Sequence, residues 1–298
     1  MQRGQRTIRR EIEYRGRGLF LGEEVSLKLR PQPGNTGIHF LRVDMPGSLP
    51  IPAHVGFLRG QTRRILLGRG EAEVEGIEHL MAALSGLSID NLLIEITGRE
   101  VPAGDGSAWV FTQLIREAGI VDQEIPRHLF SLSRPMIIGD DEAHLVALPH
   151  PKGMELSYRL DFGSSSSLKQ SYSFSLTEET FLQEIAQART FSLASAVEEF
   201  VRHGWGKGVT EENCFLIEKD GTPLTPLQKR PAPLRFPDEP VRHKVLDLLG
   251  DLYLTGVGLG ARVFATRSGH SLNILLAQKI SRLIEAQPLP HRKVDIKV

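Results

Sequence analysis

The sequence contains one cysteine, Cys214, among its 298 residues. It can therefore form no intramolecular disulfide, and a zinc site built from several thiolates is excluded. Proteins of oxidising compartments commonly depend on disulfides, so a single cysteine favours the cytoplasm. If this chain binds a metal ion, histidines and carboxylates have to supply the ligands.

Charge of one sign is not in excess, because 36 Lys and Arg residues balance 36 Asp and Glu residues. Nucleic-acid-binding proteins usually carry a basic excess that neutralises phosphates, so we expect no nucleic-acid partner. Long apolar runs are also lacking, and none approaches the roughly 20 residues that span a bilayer. The basic start, MQRGQRTIRREIEYRGRG, is followed by no apolar segment, which argues against a signal peptide. We therefore expect a cytoplasmic protein without a transmembrane segment.

Three common catalytic motifs are missing from the sequence. These are the phosphate-binding loop GxxxxGK followed by Ser or Thr, the zinc-binding helix HExxH and the nucleophile elbow GxSxG. The glycines of RGRGLFLG (15–22) do not fit the dinucleotide-binding pattern GxGxxG and are more typical of turns. Any catalytic chemistry therefore has to come from a less common arrangement of residues.

The chain is longer than a single small core requires, which predicts two domains. In both halves, stretches of strand-like alternation are mixed with stretches of helical periodicity, a mixture that predicts an α+β fold. The stretch IVDQEIPRH (120–128) is the best candidate for a linker. Strands are predicted near 24–31, 37–44, 91–98, 129–148, 154–162, 170–176 and 260–267. Helices are predicted near 76–87, 105–119, 178–187, 193–204, 241–256 and 272–286.

The stretch VRHKVLDLLGDLYLTG (241–256) combines a broad apolar stripe with a polar face. The polar face carries His243, Asp247 and Asp251, each four residues from the next, so their side chains stack on one side of a helix. His243 and Asp247 can reach one metal ion together, with a third ligand from elsewhere in the chain. On spacing alone, however, a solvated face with an intrahelical His–Asp pair is the commoner arrangement.

Three further positions offer chemistry, and each has a plain structural alternative. In IEHL, Glu78 stands beside His79, a pair in which the imidazole can bind a metal while the carboxylate takes a proton from water. In RSGHSLN, a glycine-bearing turn between a strand and a helix would present His270 as an acid or a cation. In ARTF, the hydroxyl of Thr190 could support a developing oxyanion. The alternatives are a core histidine, an incidental turn residue and a structural threonine.

Five stretches, taken in their order along the chain, carry a resemblance to a known family. They are IEHLMAALSGLSIDN (77–91), EVPAGDGSA (100–108), ARTF (188–191), FPDEPVRHKVLDLLGDLYLTG (236–256) and SGHSLN (268–273). Together they resemble the UDP-3-O-acyl-N-acetylglucosamine deacetylases, the zinc enzymes of the committed step of lipid A synthesis. The resemblance covers nearly the whole chain, and VRHKVLDLLGDL and SGHSLN are its most specific parts.

The resemblance implies a metal centre with a general base beside it. The implied zinc ligands are His79, His243 and Asp247, and the implied base is Glu78. A site of two histidines and one aspartate accommodates Fe²⁺ as well as Zn²⁺.

The resemblance also implies the residues that surround the reacting amide. His270 would be the charged partner or general acid, Asp251 would orient it, and Thr190 would help to hold the oxyanion. Three more positions are implied to contact the substrate: Lys244, Phe191 and Phe162.

The fold implied by the resemblance is a pair of similar two-layer α/β sandwich domains with helices packed between the sheets. The domain boundaries would be 1–122 and 127–298. Each domain would carry a small insert, about 45–72 in the first and about 193–225 in the second. One insert would cap the site, and the second would form an apolar passage for an acyl chain.

The implied reaction removes the N-acetyl group from UDP-3-O-(3-hydroxyacyl)-N-acetylglucosamine and yields acetate and a free 2-amine. The partner is therefore a small acylated UDP-sugar, and we expect the chain to act as a monomer. One departure is Phe20 in GLFLG, which stands where the family usually has a histidine. Two alternatives are a non-catalytic relative that binds nucleotide sugars or acyl chains, and a zinc deacetylase that acts on a different amide.

Overall fold

The N-terminal half is built on a five-stranded sheet, seen in a computed structural model that describes residues 3–61 and 63–286. In β3 (Glu24–Pro31), buried and exposed positions alternate, because successive side chains of a strand point to opposite faces. Across the sheet the order is β2 (Ile12–Arg17), β3, β9 (Leu92–Ile96), β4 (Ile38–Arg42) and β5 (Ile51–Pro52). The pair β9–β4 is parallel and the other pairs are antiparallel.

Two smaller sheets complete this half. One is the antiparallel sheet β6 (Leu58–Gly60), β7 (Leu66–Arg69) and β8 (Ala72–Glu75), which leads into helix α1 (Glu78–Gly86). The other pairs β1 (Gly4–Ile8) with β10 (Ile120–Pro126), which follows helix α2 (Trp109–Ala118). Most of the stretch 120–128, predicted as a linker, is therefore a strand, because β10 finds an antiparallel partner at the start of the chain.

The C-terminal half repeats the strand order of the first. Its main sheet runs β12 (Met136–Gly139), β13 (His144–Pro149), β19 (Gly258–Thr266), β14 (Met154–Asp161) and β15 (Lys169–Ser175), and β11 (Leu129–Ser131) also pairs with β19. In both sheets the last strand in sequence lies between the second and the third, parallel to the third. The end of the predicted domain 127–298, beyond residue 286, lies outside the described residues.

The remaining elements of this half form a small sheet and four helical segments. In chain order they are α3 (Glu178–Thr180) with a π-helical turn over Phe181–Ile185, β16 (Phe191–Leu193), α4 (Val197–Arg202), β17 (Phe215–Ile217), β18 (Pro223–Leu224), α5 (Glu239–Tyr253) and α6 (His270–Glu285). The proline-rich stretch ends at Pro240 in the first turn of α5, where a missing N–H group breaks no helical hydrogen bond. His270 is the first residue of α6, so the helix begins two residues earlier than predicted and His270 lies in its first turn, not in a turn before it.

The helices lie between the two main sheets. α5 contacts β14 and β15 on one side and α1 on the other, while α2 contacts α1 and β2. Mixed sheets and helices of this kind confirm the predicted α+β class. Within the described residues, no helix is both long and apolar enough to cross a membrane.

The contact between α1 and α5 depends on Gly250. A Cβ atom at this position would lie 2.1 Å from the carbonyl oxygen of Glu78 on α1. No side chain fits there unless the two helices move apart, so the glycine sets how closely the two halves approach.

We predict that Gly250→Ala lowers the free energy of unfolding by about 1–3 kcal/mol, the usual cost of overpacking a core. Helix propensity alone would change stability in the opposite direction, since alanine is favoured over glycine by about 1 kcal/mol. Urea denaturation measures the difference. Gly60→Ala is the control, because a Cβ atom there would lie 3.7 Å from Leu66 in ordinary contact. A stabilised Gly250→Ala variant would contradict the close approach.

Candidate metal centre and active site

Three potential metal ligands converge where α1 meets α5. His79 is the second residue of α1, and His243 and Asp247 lie one turn apart on α5. One ligand atom from each residue lies within 4.8 Å of the others, and the two imidazole rings are 4.9 Å apart between centroids. Helical spacing places His243 and Asp247 side by side, and the contact between α1 and α5 adds His79.

The separations between these atoms fit a metal ion of the size of zinc. Oδ1 of Asp247 lies 3.4 Å from Nε2 of His243 and 3.7 Å from Nε2 of His79. Ligand atoms about 2.1 Å from one tetrahedral ion lie roughly 3.4 Å apart. The three residues therefore supply three ligand atoms and leave the rest of the coordination sphere open to further ligands.

The two residues from α5 are held in the orientation that ligation requires. Nδ1 of His243 lies 3.0 Å from the carbonyl oxygen of Ala188 and donates to it, which leaves Nε2 free as an acceptor. The ammonium of Lys244 donates to Oδ2 of Asp247 at 2.6 Å, so Oδ1 is the oxygen that faces the histidines. Lys244, which was predicted to contact the substrate, thus pairs with this aspartate and also lines the cavity beside it.

Burial and neighbouring charges keep all three residues in the protonation states that bind a metal. Burial, together with the adjacent His243, lowers the pKa of His79 to about 3, and burial also lowers the pKa of His243. Burial alone would raise the pKa of Asp247, but Lys244 and the imidazoles hold it well below its ordinary value. His243 and Asp247 are each 3% exposed, which excludes the solvated helix face.

Glu78 opens α1, directly before His79, and its carboxylate is buried. Its Oε2 accepts a hydrogen bond of 3.2 Å from the backbone N–H of Ile65. Burial raises the pKa of Glu78 to about 7, against the opposing effect of the positive charge on His270. A carboxyl with this pKa gains and loses a proton near neutral pH.

His270 is anchored by a buried carboxylate. Its Nδ1 lies 2.8 Å from Oδ2 of Asp251, which also accepts 2.9 Å from the side-chain amide of Asn273. Burial would lower the pKa of His270, but Asp251 raises it to about 9. The sequence analysis did not single out Asn273, although its place in SGHSLN, three residues after His270 on one helix face, was a usable signal.

A buried ion pair anchors the ARTF stretch to the start of α5. Nε of Arg189 lies 2.9 Å and Nη2 3.1 Å from the carboxylate of Glu239, which also accepts from the backbone N–H of Arg189 at 2.9 Å. Glu239 lies one turn before His243, so the pair fixes the carbonyl of Ala188 against the imidazole. Neither member was predicted from the sequence, because their pairing depends on tertiary structure.

The residues beside this anchor face the same space as the metal ligands. The N–H of Thr190 donates to the carbonyl of Gly106 at 2.7 Å, which ties the two halves together next to its side chain. The ring of Phe191 stacks on Phe215 at 5.6 Å and meets Phe162 edge to face at 6.1 Å. These contacts fix both predicted substrate-facing aromatic rings.

The three potential metal ligands and Glu78 open onto a cavity of about 950 Å³. Every predicted site residue lines it except Asp251, which lies behind His270. Further polar lining comes from Arg267, Ser268 and Ser271. A separate, apolar part of the lining comes from the segment after Phe191: Leu193, Ala196, Val197, Val201, Val209 and Leu216.

The sequence is similar to known proteins over nearly its whole length. Residues 5–282 match the family model LpxC, UDP-3-O-acyl N-acetylglycosamine deacetylase. A UDP-3-O-acyl-N-acetylglucosamine deacetylase of Chlamydia pneumoniae is 40% identical over 287 residues, 96% of this chain and 99% of the relative. Relatives of the same name from a Nostoc species and from Bdellovibrio bacteriovorus are 40% and 34% identical. They cover 94% and 98% of this chain, and 99% and 93% of their own lengths.

We predict that Glu239→Gln costs about 3–5 kcal/mol of unfolding free energy, because it leaves the buried guanidinium of Arg189 uncompensated. Asp238→Asn is the matched control. Asp238 pairs with Arg242 at 2.6 Å one residue earlier in the chain, and its side chain is 30% exposed. Losing such a partly exposed pair costs at most about 1 kcal/mol. Equal decreases in the unfolding free energy of the two variants, measured by urea denaturation, would show that the buried Arg189–Glu239 pair stabilises the fold no more than the partly exposed pair does.

Proposed function

The chain belongs to the UDP-3-O-acyl-N-acetylglucosamine deacetylase family, and on this basis we propose that the cavity holds a zinc ion beside the substrate. The chain is a hydrolase that cleaves the acetamide of UDP-3-O-acyl-N-acetylglucosamine in lipid A synthesis. Water is consumed, and acetate and a sugar with a free 2-amine are released. The observation that supports the site is the convergence of His79, His243 and Asp247 next to Glu78 in one cavity.

The proposed ligands of the ion are His79, His243 and Asp247. A zinc ion there would act as a Lewis acid on the amide carbonyl and lower the pKa of the attacking water. Fe²⁺ is accommodated by the same donors. The ion pair between Lys244 and Asp247 stabilises the charged form of the aspartate, which supports binding of a divalent cation.

We propose that Glu78 takes a proton from the attacking water. Its pKa of about 7 suits this role, because a general base works best when its pKa lies near the operating pH. The N–H of Ile65 holds one carboxylate oxygen, and the other oxygen is left to accept the proton. The carboxyl that results can return this proton to the leaving amine.

We propose that His270 enters the reaction as an imidazolium. The carboxylate of Asp251 keeps it protonated, so its positive charge is in place before the oxyanion develops. Thr190 lines the same cavity and would donate its hydroxyl hydrogen to that oxygen. His270 or Glu78 then protonates the amine, and the amide C–N bond breaks.

The substrate contacts are proposed on the lining of the cavity. Lys244, Phe191 and Phe162 face the space in which the nucleotide sugar would lie. The apolar lining from the predicted insert 193–225 would take the acyl chain, and the predicted insert 45–72 would cap the site. The domains at 1–122 and 127–298 would each supply part of the centre. Because the one cysteine is a buried free thiol, we place the protein in the cytoplasm.

We predict that purified protein contains equimolar metal, which His243→Ala loses. Glu78→Gln should keep the metal and release amine from the acylated UDP-sugar about 10²–10⁴-fold more slowly. Elemental analysis and an amine assay measure these two quantities. His144→Ala, on a strand away from the cavity, is the histidine control. Full metal content without any amine release would contradict the proposed site and favour a non-catalytic binding role.

We predict that Asp251→Asn moves the alkaline limb of the kcat/KM profile to lower pH. Asp251 holds the pKa of His270 at about 9, so the wild type stays active up to that pH. Without the carboxylate, the imidazole returns to about 6.5 or below, and activity near pH 8 falls roughly thirty-fold. An NMR titration of the His270 ring checks the same shift without turnover. An unmoved limb would exclude the proposed role of His270.

A further inference from the structure

Phe20 lies in a cluster of three aromatic rings on the cavity wall. Its ring centroid is 6.2 Å from those of both Phe200 and Trp205, which are 6.0 Å from each other. All three residues line the cavity. Phe20 belongs to the loop between β2 and β3, whereas the other two belong to the predicted insert 193–225. This aromatic cluster therefore joins the N-terminal half to the insert.

Two arginines hold the aromatic cluster from the N-terminal side. The guanidinium of Arg64 lies 4.3 Å from the ring centroid of Phe20 and 5.1 Å from that of Trp205. Its Nε lies 3.0 Å from a carboxylate oxygen of the buried Glu75. A planar cation held in this way stacks on both rings and restrains them.

Arg63 adds a second link to the same insert. Its guanidinium lies 5.0 Å from the ring centroid of Phe200 and forms an ion pair of 2.7 Å with Glu199. The neighbouring arginines thus contact all three rings of the cluster.

The backbone that carries Phe20 is also fixed. The N–H groups of Phe20 and Leu21 donate to the two oxygens of Glu100, at 2.7 and 2.8 Å. The carboxylate sits so close to the loop that a Cβ atom at Gly18 would lie 2.2 Å from it. These hydrogen bonds hold the backbone of the loop in place, while Arg64 restrains the ring of Phe20 itself.

We propose that Phe20, Phe200 and Trp205 set the longest acyl chain that the cavity accepts. The inference rests on the proposed function, since it assigns the acyl chain to the apolar lining of this cavity. Each methylene buried against that lining strengthens binding about four-fold, equivalent to about 0.8 kcal/mol. Where the acyl chain meets rings that the two arginines restrain, further methylenes find no space and the gain in binding stops. The ring of Phe20 completes this stop on the side of the N-terminal half.

The first test compares kcat/KM for acylated UDP-sugars that differ only in chain length. For the wild type, kcat/KM should rise about four-fold per added methylene up to a limiting chain length and should not rise beyond it. In Phe20→Ala and Trp205→Ala, the limit should move to longer chains, with a gain of at least about four-fold just past the wild-type limit. Phe236→Ala is the control, since that ring lies under Arg242 at 4.6 Å and outside the cavity. An identical limit in all four proteins would overturn the inference.

A second test needs no turnover. The chain has two tryptophans, Trp109 and Trp205, so in a Trp109→Phe background the emission reports on the cluster alone. Saturated 3-hydroxy fatty acids of graded length are the probes. We expect the emission change to stop growing at one chain length, and Phe20→Ala to shift that length upward. Trp205 emission that responds to none of the probes would overturn the inference.

The two tests separate this inference from the proposed function. A length limit in fatty-acid binding that shifts in Phe20→Ala, in a protein that releases no amine, supports the inference and refutes the proposed site. Amine release with the same length limit in every variant supports the proposed site and refutes the inference.

Discussion

The close approach of α1 and α5 is the constraint on which the rest of the site depends. Gly250 leaves space for the carbonyl of Glu78, and the next residue along α1 is His79. Because His243 and Asp247 lie on the facing helix, this one contact converts residues of two separate halves into a single donor set. Burying a polar group without a partner is costly, so the polar residues that α5 turns toward α1 need partners. Ala188 is the partner of His243, Lys244 that of Asp247, and Asn273 that of Asp251 one turn further along α5.

The same short segment serves the chemistry and the shape of the cavity. Glu75 ends β8, three residues before Glu78 begins α1. Glu75 holds Arg64 against the aromatic cluster, while Glu78 lies beside the metal ligands. Any shift of this strand-to-helix connection would therefore displace the aromatic cluster and the proposed general base together.

Much of the fold was accessible from the sequence, because hydrophobic periodicity is a local signal. The apolar stripe of VRHKVLDLLGDLYLTG predicted a helix, which is observed over Glu239–Tyr253. Its polar face was ambiguous, since spacing cannot tell a face that meets water from one that meets another helix. The resemblance to a family, not the periodicity, assigned roles to His243 and Asp247. The structure shows that the face is buried.

What the sequence could not indicate was pairing between distant segments. The strand at Ile120–Pro126 exists because β1 pairs with it, and Arg189 is buried because Glu239 neutralises it. Phe20 was visible only as a departure from the family, and its cationic neighbours belong to a different segment. Each of these features depends on contacts that no local pattern encodes.

The repeated strand order has a consequence for how this protein acquires activity during folding. The N-terminal copy carries Glu78 and His79, and the C-terminal copy carries Thr190, His243, Asp247 and His270. Neither copy alone contains all the residues of the site proposed above. Large chains commonly fold one unit at a time, so a chain with only one copy structured would lack part of that site. The proposed site is therefore complete only when the two copies are packed together, and enzyme activity would report that they have joined correctly.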